Sequence, residues 1–245
     1  PRMCATTEMS SMELSPSEAL KRRAAARALE YVESGMILGL GTGSTVAHLL
    51  DLLGQKIRDG ELKDIVGIPT SVRTVKEGRQ AGIELVDLVD RDHIDLTIDG
   101  TDEVTPQLDL IKGLGGALLR EKMVAQSSDR LVIIADAGKT VDKIGTKCPL
   151  PIEVVSWGQG SHVRFLESIG AEVAMRMQED GSPQMSDNGN LLLDCTFAGG
   201  IDDPQLLDVE LHARAGIVET GLFLGLADVA VIAGETGIEV WEAPK

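Results

Sequence analysis

Hydrophobic and polar positions along this chain follow two rhythms. Short unbroken apolar runs read as buried strands, and stretches with an apolar residue every third or fourth position read as helices. The runs at residues 36–40, 64–69, 83–86, 93–98, 130–135 and 227–232 are the predicted strands. Ser15-Pro16-Ser17-Glu18 is a capping box with proline at the first helical position. Leu20, Ala24, Ala28 and Val32 mark the apolar face of the helix it starts, which reaches about Glu33 and is stopped by Gly35. Val46, Leu49, Leu50, Leu53 and Ile57 mark a second helix, residues 70–81 a third, and a fourth begins near Ala117.

From Pro149 the texture changes. A strand at 152–155, a helix at 160–169 and a strand at 172–176 lead to Asp187-Asn188-Gly189-Asn190, a hairpin-type turn into a return strand at 191–195. A helix capped by Asp203-Pro204 and a strand at 216–218 follow. That order is the split βαβ plan. The predicted fold is therefore α/β: a Rossmann-like open parallel sheet domain over residues 13–147 plus 219–245, with a smaller α+β, ferredoxin-like domain inserted over 148–218. The insert carries few candidate catalytic groups and reads as a cleft wall or subunit contact. In an open parallel sheet the carboxyl ends of the strands share one edge, where ligands bind. Thr42, Asp99, Lys112 and Lys139 are expected to converge there.

Composition narrows the choice of ligand. Aromatic residues are only 2% of the chain, so the core must be built from Ala, Val, Leu and Ile. The formal net charge of −16 repels nucleic acid and anionic membranes, and local lysines must overcome that field if the ligand is an anion. No apolar run reaches the roughly 18 residues of a membrane helix. Cys4, Cys148 and Cys195 are odd in number and lack CxxC spacing, which favours a reducing compartment. His48, His93, His162 and His212 are scattered without metal-ligand spacing. The chain starts at Pro1 without a secretory h-region; the segment before Met12 reads as a leader remnant, an expression scar or an upstream extension.

Two stretches carry the candidate chemistry. Gly41-Thr42-Gly43-Ser44-Thr45 joins a strand to a helix, an arrangement in which amides, hydroxyls and the helix N-terminus face one anion. The plain alternative is a tight turn with Ser44 as N-cap. A dinucleotide reading fits poorly: Ser44 stands where the third glycine of G-x-G-x-x-G belongs, and the next strand ends without an acidic residue. The second stretch runs from Asp99 through Lys112 to Glu121. Asp99 and Asp102 flank Gly100, expected to permit a tight turn; Lys112 precedes Gly113-Leu114-Gly115-Gly116; Glu121 lies early in a helix after Leu118-Leu119. Singly, Glu121 reads as a surface glutamate, Lys21, Lys112 and Lys139 as solvated lysines, and Asp99 with Asp102 as a turn cap or, with Glu103, a Mg²⁺ site. Together, at the ligand edge, they form the set that proton transfer beside a developing oxyanion needs.

Gly39-Leu40-Gly41-Thr42-Gly43-Ser44-Thr45, Asp99-Gly100-Thr101-Asp102-Glu103, Lys112-Gly113-Leu114-Gly115-Gly116 with Arg120-Glu121-Lys122, and Asp187-Asn188-Gly189-Asn190 occur in an order and spacing that resemble type A ribose-5-phosphate isomerase, from about Ser15 onward. Gly67-Ile68-Pro69-Thr70-Ser71 is similar to the plant and plant-like members. Thr101 departs from the family's alanine and leaves both aspartates in place. The resemblance implies interconversion of D-ribose 5-phosphate and D-ribulose 5-phosphate in the pentose phosphate pathway, without metal or organic cofactor. It assigns Glu121 as the base acting through a cis-enediolate, Asp99 to ring opening and proton movement, and Lys112 to the oxyanion, with Asp102 beside them in the catalytic set. It places Thr42, Gly43, Ser44, Thr45, Gly100, Thr101, Gly113, Leu114, Gly115, Lys139 and Lys21 against the phosphosugar. It implies a homodimer or homotetramer. The cytoplasm is the expected compartment by default, with the plastid stroma as the alternative on the plant-like blocks and the non-Met start. Two rival readings are a sugar-phosphate-sensing or other sugar-phosphate-binding domain, which needs the cradle but not Glu121, and a nicotinamide-dependent oxidoreductase.

Overall fold

The structure, a computed structural model, describes residues 14–243, so Cys4 and the segment before Met12 lie outside it. Helix α1 spans Pro16–Ala28; the Ser15 hydroxyl caps it by accepting from the Glu18 amide at 3.3 Å. It gives way to a short 3₁₀ turn at Leu29–Tyr31, earlier than the predicted Glu33. The Glu18 side chain does not close a capping box; it pairs with Lys21 and His48 instead. Then come β1 (Ile37–Leu40), α2 (Ser44–Arg58), β2 (Val66–Pro69), α3 (Val72–Ala81), β3 (Glu84–Leu85), β4 (Leu96–Gly100), β5 (Glu103–Val104), β6 (Leu110–Ile111), α4 (Leu118–Gln126) and β7 (Leu131–Asp136). The chain continues through β8 (Leu150–Val154), α5 (Gln159–Ser168), β9 (Ala171–Met175), β10 (Leu191–Phe197), α6 (Pro204–His212) and β11 (Ile217–Thr220). It ends with β12 (Leu222–Phe223), β13 (Val229–Gly234) and β14 (Gly237–Glu242).

The main sheet has seven strands in the order β14-β13-β7-β4-β1-β2-β3. All neighbours are parallel except β13 and β14, which form an antiparallel hairpin at one edge. Strand residues alternate between faces, as the pleat requires. Leu38, Leu40, Leu96, Ile98, Val132, Ile134, Val229 and Val231 pack with Ala24, Ala28, Leu49, Leu50 and Leu53 of α1 and α2. On the other face Leu131, Ile133, Ala230 and Ile232 meet Val104, Leu110 and Phe223. The chain leaves β1 toward β2 and β3, then crosses back to lay β4 on the other side of β1. That reversal opens a crevice beyond the carboxyl ends of β1 and β4, the place where such sheets hold ligands.

A second sheet, antiparallel in the order β11-β8-β10-β9, carries α5 and α6 in the β-α-β-β-α-β order. A third, β12-β6-β5, is short, and the hydrophobic pattern did not predict it. Its two-residue strands fall below the length at which alternation can be read. Strand β14 was missed for another reason: Ile238 and Val240 are each 37% exposed, so its apolar positions mark no buried face. No helix among the described residues is long and apolar enough to cross a membrane.

Candidate active site

Two backbone features shape the crevice. Gly43, at φ 137°, is the N-cap of α2, so Ser44 is the first helical residue and not the cap of the plain alternative reading. Gly41 passes so close to β4 that a Cβ there would lie 2.0 Å from Asp99 Oδ1. The amides opening α2 are left without intrahelical acceptors, as at any helix start. With the Ser44 and Thr45 side chains they line a cavity of about 150 Å³.

Asp99 does not begin a turn. It and Gly100 continue strand β4, and the chain turns only at Thr101 and Asp102. Strand geometry therefore aims the Asp99 side chain: Oδ1 accepts from Gly100 N at 2.7 Å and Thr42 N at 3.1 Å, and Oδ2 lies 2.9 Å from Lys112 Nζ. Lys112 comes not from the parallel sheet but from the end of β6 in the short third sheet. Its ammonium donates to Gly100 O at 2.7 Å and to Glu121 Oε1 at 3.2 Å. Glu121 sits in the first turn of α4, with Leu118 fully buried below it. All three charged side chains are at most 4% exposed.

Burial, reinforced by the Asp99 charge, pushes the Glu121 carboxyl up to about 8, although Lys112 pulls it back. Burial alone would lower Lys112; the charges of Asp99 and Glu121 outweigh it and hold the ammonium above its ordinary range. Glu121 Oε2 is buried without a hydrogen-bond partner. A carboxyl raised in this way, one oxygen unpaired and the residue lining a cavity that also holds an ammonium, is equipped to take a proton from a bound molecule.

The remaining predicted residues gather here. Lys21, Thr42, Gly100, Thr101, Asp102, Gly113, Gly115 and Lys139 line the same cavity as Ser44, Thr45, Lys112 and Glu121, with Gly43 at its floor. Leu114 is outside the lining and contributes its amide, which donates to Asp102 Oδ2 at 2.9 Å. Lys139 Nζ is 3.9 Å from Asp102 Oδ1. The Thr101 hydroxyl donates to Glu103 O at 2.6 Å. The Thr42 hydroxyl is likewise committed, within 3.0 Å of those of Thr70, Ser71 and Thr74.

Glu103 departs from the Mg²⁺ reading. It is fully buried and accepts from the amides of Gly145, Lys147 and Cys148, so it anchors a loop and faces no metal. Among the described residues His93, Asp95 and Asp129 also bring ligand-type atoms together. They lie at the amino end of β4, away from the cavity, with His93 Nε2 already 2.9 Å from Asp95 Oδ1.

The sequence reading missed Arg176. Its Nη1 donates to Gly113 O and Leu114 O, both at 3.0 Å, while Nε donates to Asp194 at 2.9 Å. The four-stranded sheet thus grips the glycine loop. No motif marks an arginine at a strand end, and nothing in the sequence announced this one. Arg120 makes the matching contact from α4, donating to Asn188 Oδ1 at 2.9 Å, so the Asp187–Asn190 turn docks beside the same helix.

The family model described as ribose 5-phosphate isomerase A (phosphoriboisomerase A) matches residues 66–237. Ribose-5-phosphate isomerase A of Roseiflexus castenholzii is 49% identical over 224 residues, covering 91% of this chain and 95% of that protein. Its namesake in Desulfatibacillum aliphaticivorans is 47% identical over 230 residues, 94% of this chain and 100% of the relative. Among solved structures, ribose 5-phosphate isomerase from Plasmodium falciparum is similar with a TM-score of 0.89 at 38% identity, covering 92% of this chain and 98% of that one. A D-ribose-5-phosphate isomerase in complex with phospho-erythronic acid gives a TM-score of 0.90 at 37% identity, over 93% and 100% respectively.

Proposed function

The chain belongs to the ribose 5-phosphate isomerase A family and is an aldose–ketose isomerase of ribose 5-phosphate, and on that premise we propose how its residues carry the reaction. Ser44, Thr45, the amides opening α2 and the ammonium groups of Lys21 and Lys139 hold the phosphate. Asp102, which lines the cavity, faces the sugar oxygens and assists ring opening, while Asp99, outside the lining and with both oxygens engaged, holds the Lys112 ammonium in place. Glu121 removes the proton from C2 of the open aldose, Lys112 stabilises the charge that develops on the C1 oxygen, a proton passes from the C2 hydroxyl to that oxygen, and Glu121 returns its proton to C1. The proton on C2 is only weakly acidic, so base and charge stabiliser must act together, each contributing about 10²–10⁴-fold.

The observation that carries this reading is the buried, unpaired Glu121 Oε2 on a carboxylate whose other oxygen touches Lys112. A domain that only sensed sugar phosphates would need the cradle but no such base. The ligand seen in a similar structure fits as well: phospho-erythronic acid pairs a phosphate with a carboxylate that bears charge where an enediolate does. The test is conversion of ribose 5-phosphate in deuterated water with a chelator present. Deuterium in the product and undiminished turnover support the assignment. Loss of turnover in chelator, or its survival in Glu121→Gln, overturns it.

The four-stranded unit, expected at residues 148–218, serves in this reading as the cleft wall that fixes the glycine loop through Arg176. We further propose that two copies associate, since Leu206 and Val209, three positions apart on α6, are 63% and 68% exposed and offer an apolar surface. Sedimentation equilibrium checks it. The cytoplasm is the proposed place of action, in keeping with the bacterial relatives.

A further inference from the structure

Lys112 has three N–H donors, and all three are committed, to Gly100 O, Asp99 Oδ2 and Glu121 Oε1. To meet a charge developing on substrate, the ammonium must release one of them. The contact to Glu121, at 3.2 Å, is the longest. During that exchange the charge sits in a dry site with its hydrogen bonds incomplete, a costly condition for an ammonium. A partner that does not depend on N–H direction would hold it in place.

Phe223 is placed to be that partner. Its ring is fully buried, and the Lys112 Nζ lies over it, 5.3 Å from the centroid. A second ammonium, Lys122 Nζ, lies over the same ring at 4.9 Å. Lys122 is neutralised separately, donating to Glu219 Oε1 at 2.5 Å and Thr220 O at 2.9 Å. The backbone fixes the arrangement. Phe223 pairs with Leu110 across β12 and β6, and the Lys112 amide donates to Gly221 O at 2.9 Å. A desolvated ammonium within about 6 Å of an aromatic face is attracted to the ring quadrupole whatever its donors are doing.

We propose that Phe223 is a positioning residue for the reaction. Its ring face holds the Lys112 ammonium while that group exchanges a donor from Glu121 to the substrate oxyanion, and Lys122 braces the ring. This rests on the oxyanion role proposed for Lys112.

The test replaces Phe223 in the full chain with 4-fluoro-, 3,5-difluoro- and 3,4,5-trifluorophenylalanine, which preserve shape and progressively weaken the ring quadrupole. Phe223→Leu and Lys112→Ala are assayed beside them. The expected result is a stepwise fall in kcat, about ten-fold across the series, with KM changing by less than about two-fold and Tm falling by a few degrees, because the resting ammoniums also lose part of their attraction to the ring. A kcat that stays flat across the fluorinated series overturns the proposal, whatever Phe223→Leu does, because the ring then acts by shape alone. If Lys112→Ala still loses turnover in that case, the oxyanion assignment survives without the ring. If Lys112→Ala is harmless, both fall.

Discussion

Glu121 meets Lys112 through one oxygen, at 3.2 Å, and holds the other buried and unpaired. A carboxylate kept only to neutralise a buried lysine would have both oxygens satisfied, because an orphaned buried acceptor is costly. Asp99 already plays the neutralising part, with both its oxygens engaged. The asymmetry between the two acids matches the proposed division, in which Asp99 supports the ammonium and Glu121 accepts the substrate proton.

Glu121→Gln should lower kcat by about 10²–10⁴-fold and change KM little, because the amide keeps the shape and the contact to Lys112 but cannot accept a proton. A coupled assay of ribulose 5-phosphate formation reads both constants. A large rise in KM with kcat preserved would move Glu121 from chemistry to binding.

The raised Glu121 carboxyl predicts a pH profile and its sign. If Glu121 is the base, as proposed, it works ionised, so kcat/KM should climb to a plateau with an apparent value near 8. That limb is distinct from the titration of the substrate phosphate near about 6. Stability should run the other way. Because the folded value lies above the unfolded one, the folded form keeps a proton that the unfolded chain has lost, and stability declines as pH rises from about 4.5 toward 8. Glu121→Gln should therefore gain most in Tm over the wild type at pH 8 and above, and least at pH 4.5 or below. Equal gains at both ends would contradict the burial argument.

Lys112→Ala should reduce kcat far more than it raises KM if the charge acts in the transition state. It should also destabilise the fold by about 3–5 kcal/mol, since it strands the buried Asp99 charge. Chemical denaturation measures the second effect; an effect confined to KM would assign Lys112 to ground-state binding.

Gly41→Ala tests the crevice itself. The added methyl would lie 2.0 Å from Asp99 Oδ1 and 2.7 Å from Asp99 Cα, so backbone and not only side chain must move. Turnover should be lost together with several degrees of Tm, read by calorimetry.

Cys148 and Cys195 should resist alkylation in the folded protein. Burial pushes the Cys195 thiol up to about 12, and burial with the neighbouring Glu103 charge raises Cys148 as well. Site-resolved mass spectrometry after iodoacetamide at pH 8 should find both unmodified until denaturant is added.

The crevice was legible in the sequence for a local reason. Gly41 to Thr45 and Asp99 to Glu121 are short stretches whose glycines, hydroxyls and charges bear directly on the chain that folds around them. Long-range pairings were not legible. Phe223 and Arg176 reach the site from positions far along the chain, and neither stands out in its own stretch of sequence. The Thr42 hydroxyl was read as part of the phosphate cradle, but Thr70, Ser71 and Thr74 take it up, and only their assembly beside β1 shows this. The two-residue strands β5, β6 and β12 carry too few positions to show a period, so the second source of the catalytic charge pattern stayed hidden.

That second source makes the reaction centre a seam. The acid at the end of β4 belongs to the long sheet, the ammonium after β6 to the short one, and the proposed base to a helix packed against β4 and against β8 and β11 of the four-stranded sheet. Neither sheet alone assembles the set. On the proposed assignment, a partly folded chain with the long sheet in place and the short one undocked would retain its grip on phosphate through Ser44 and Thr45 and perform no chemistry. Turnover, and not ligand binding, is the property that reports complete assembly of this molecule.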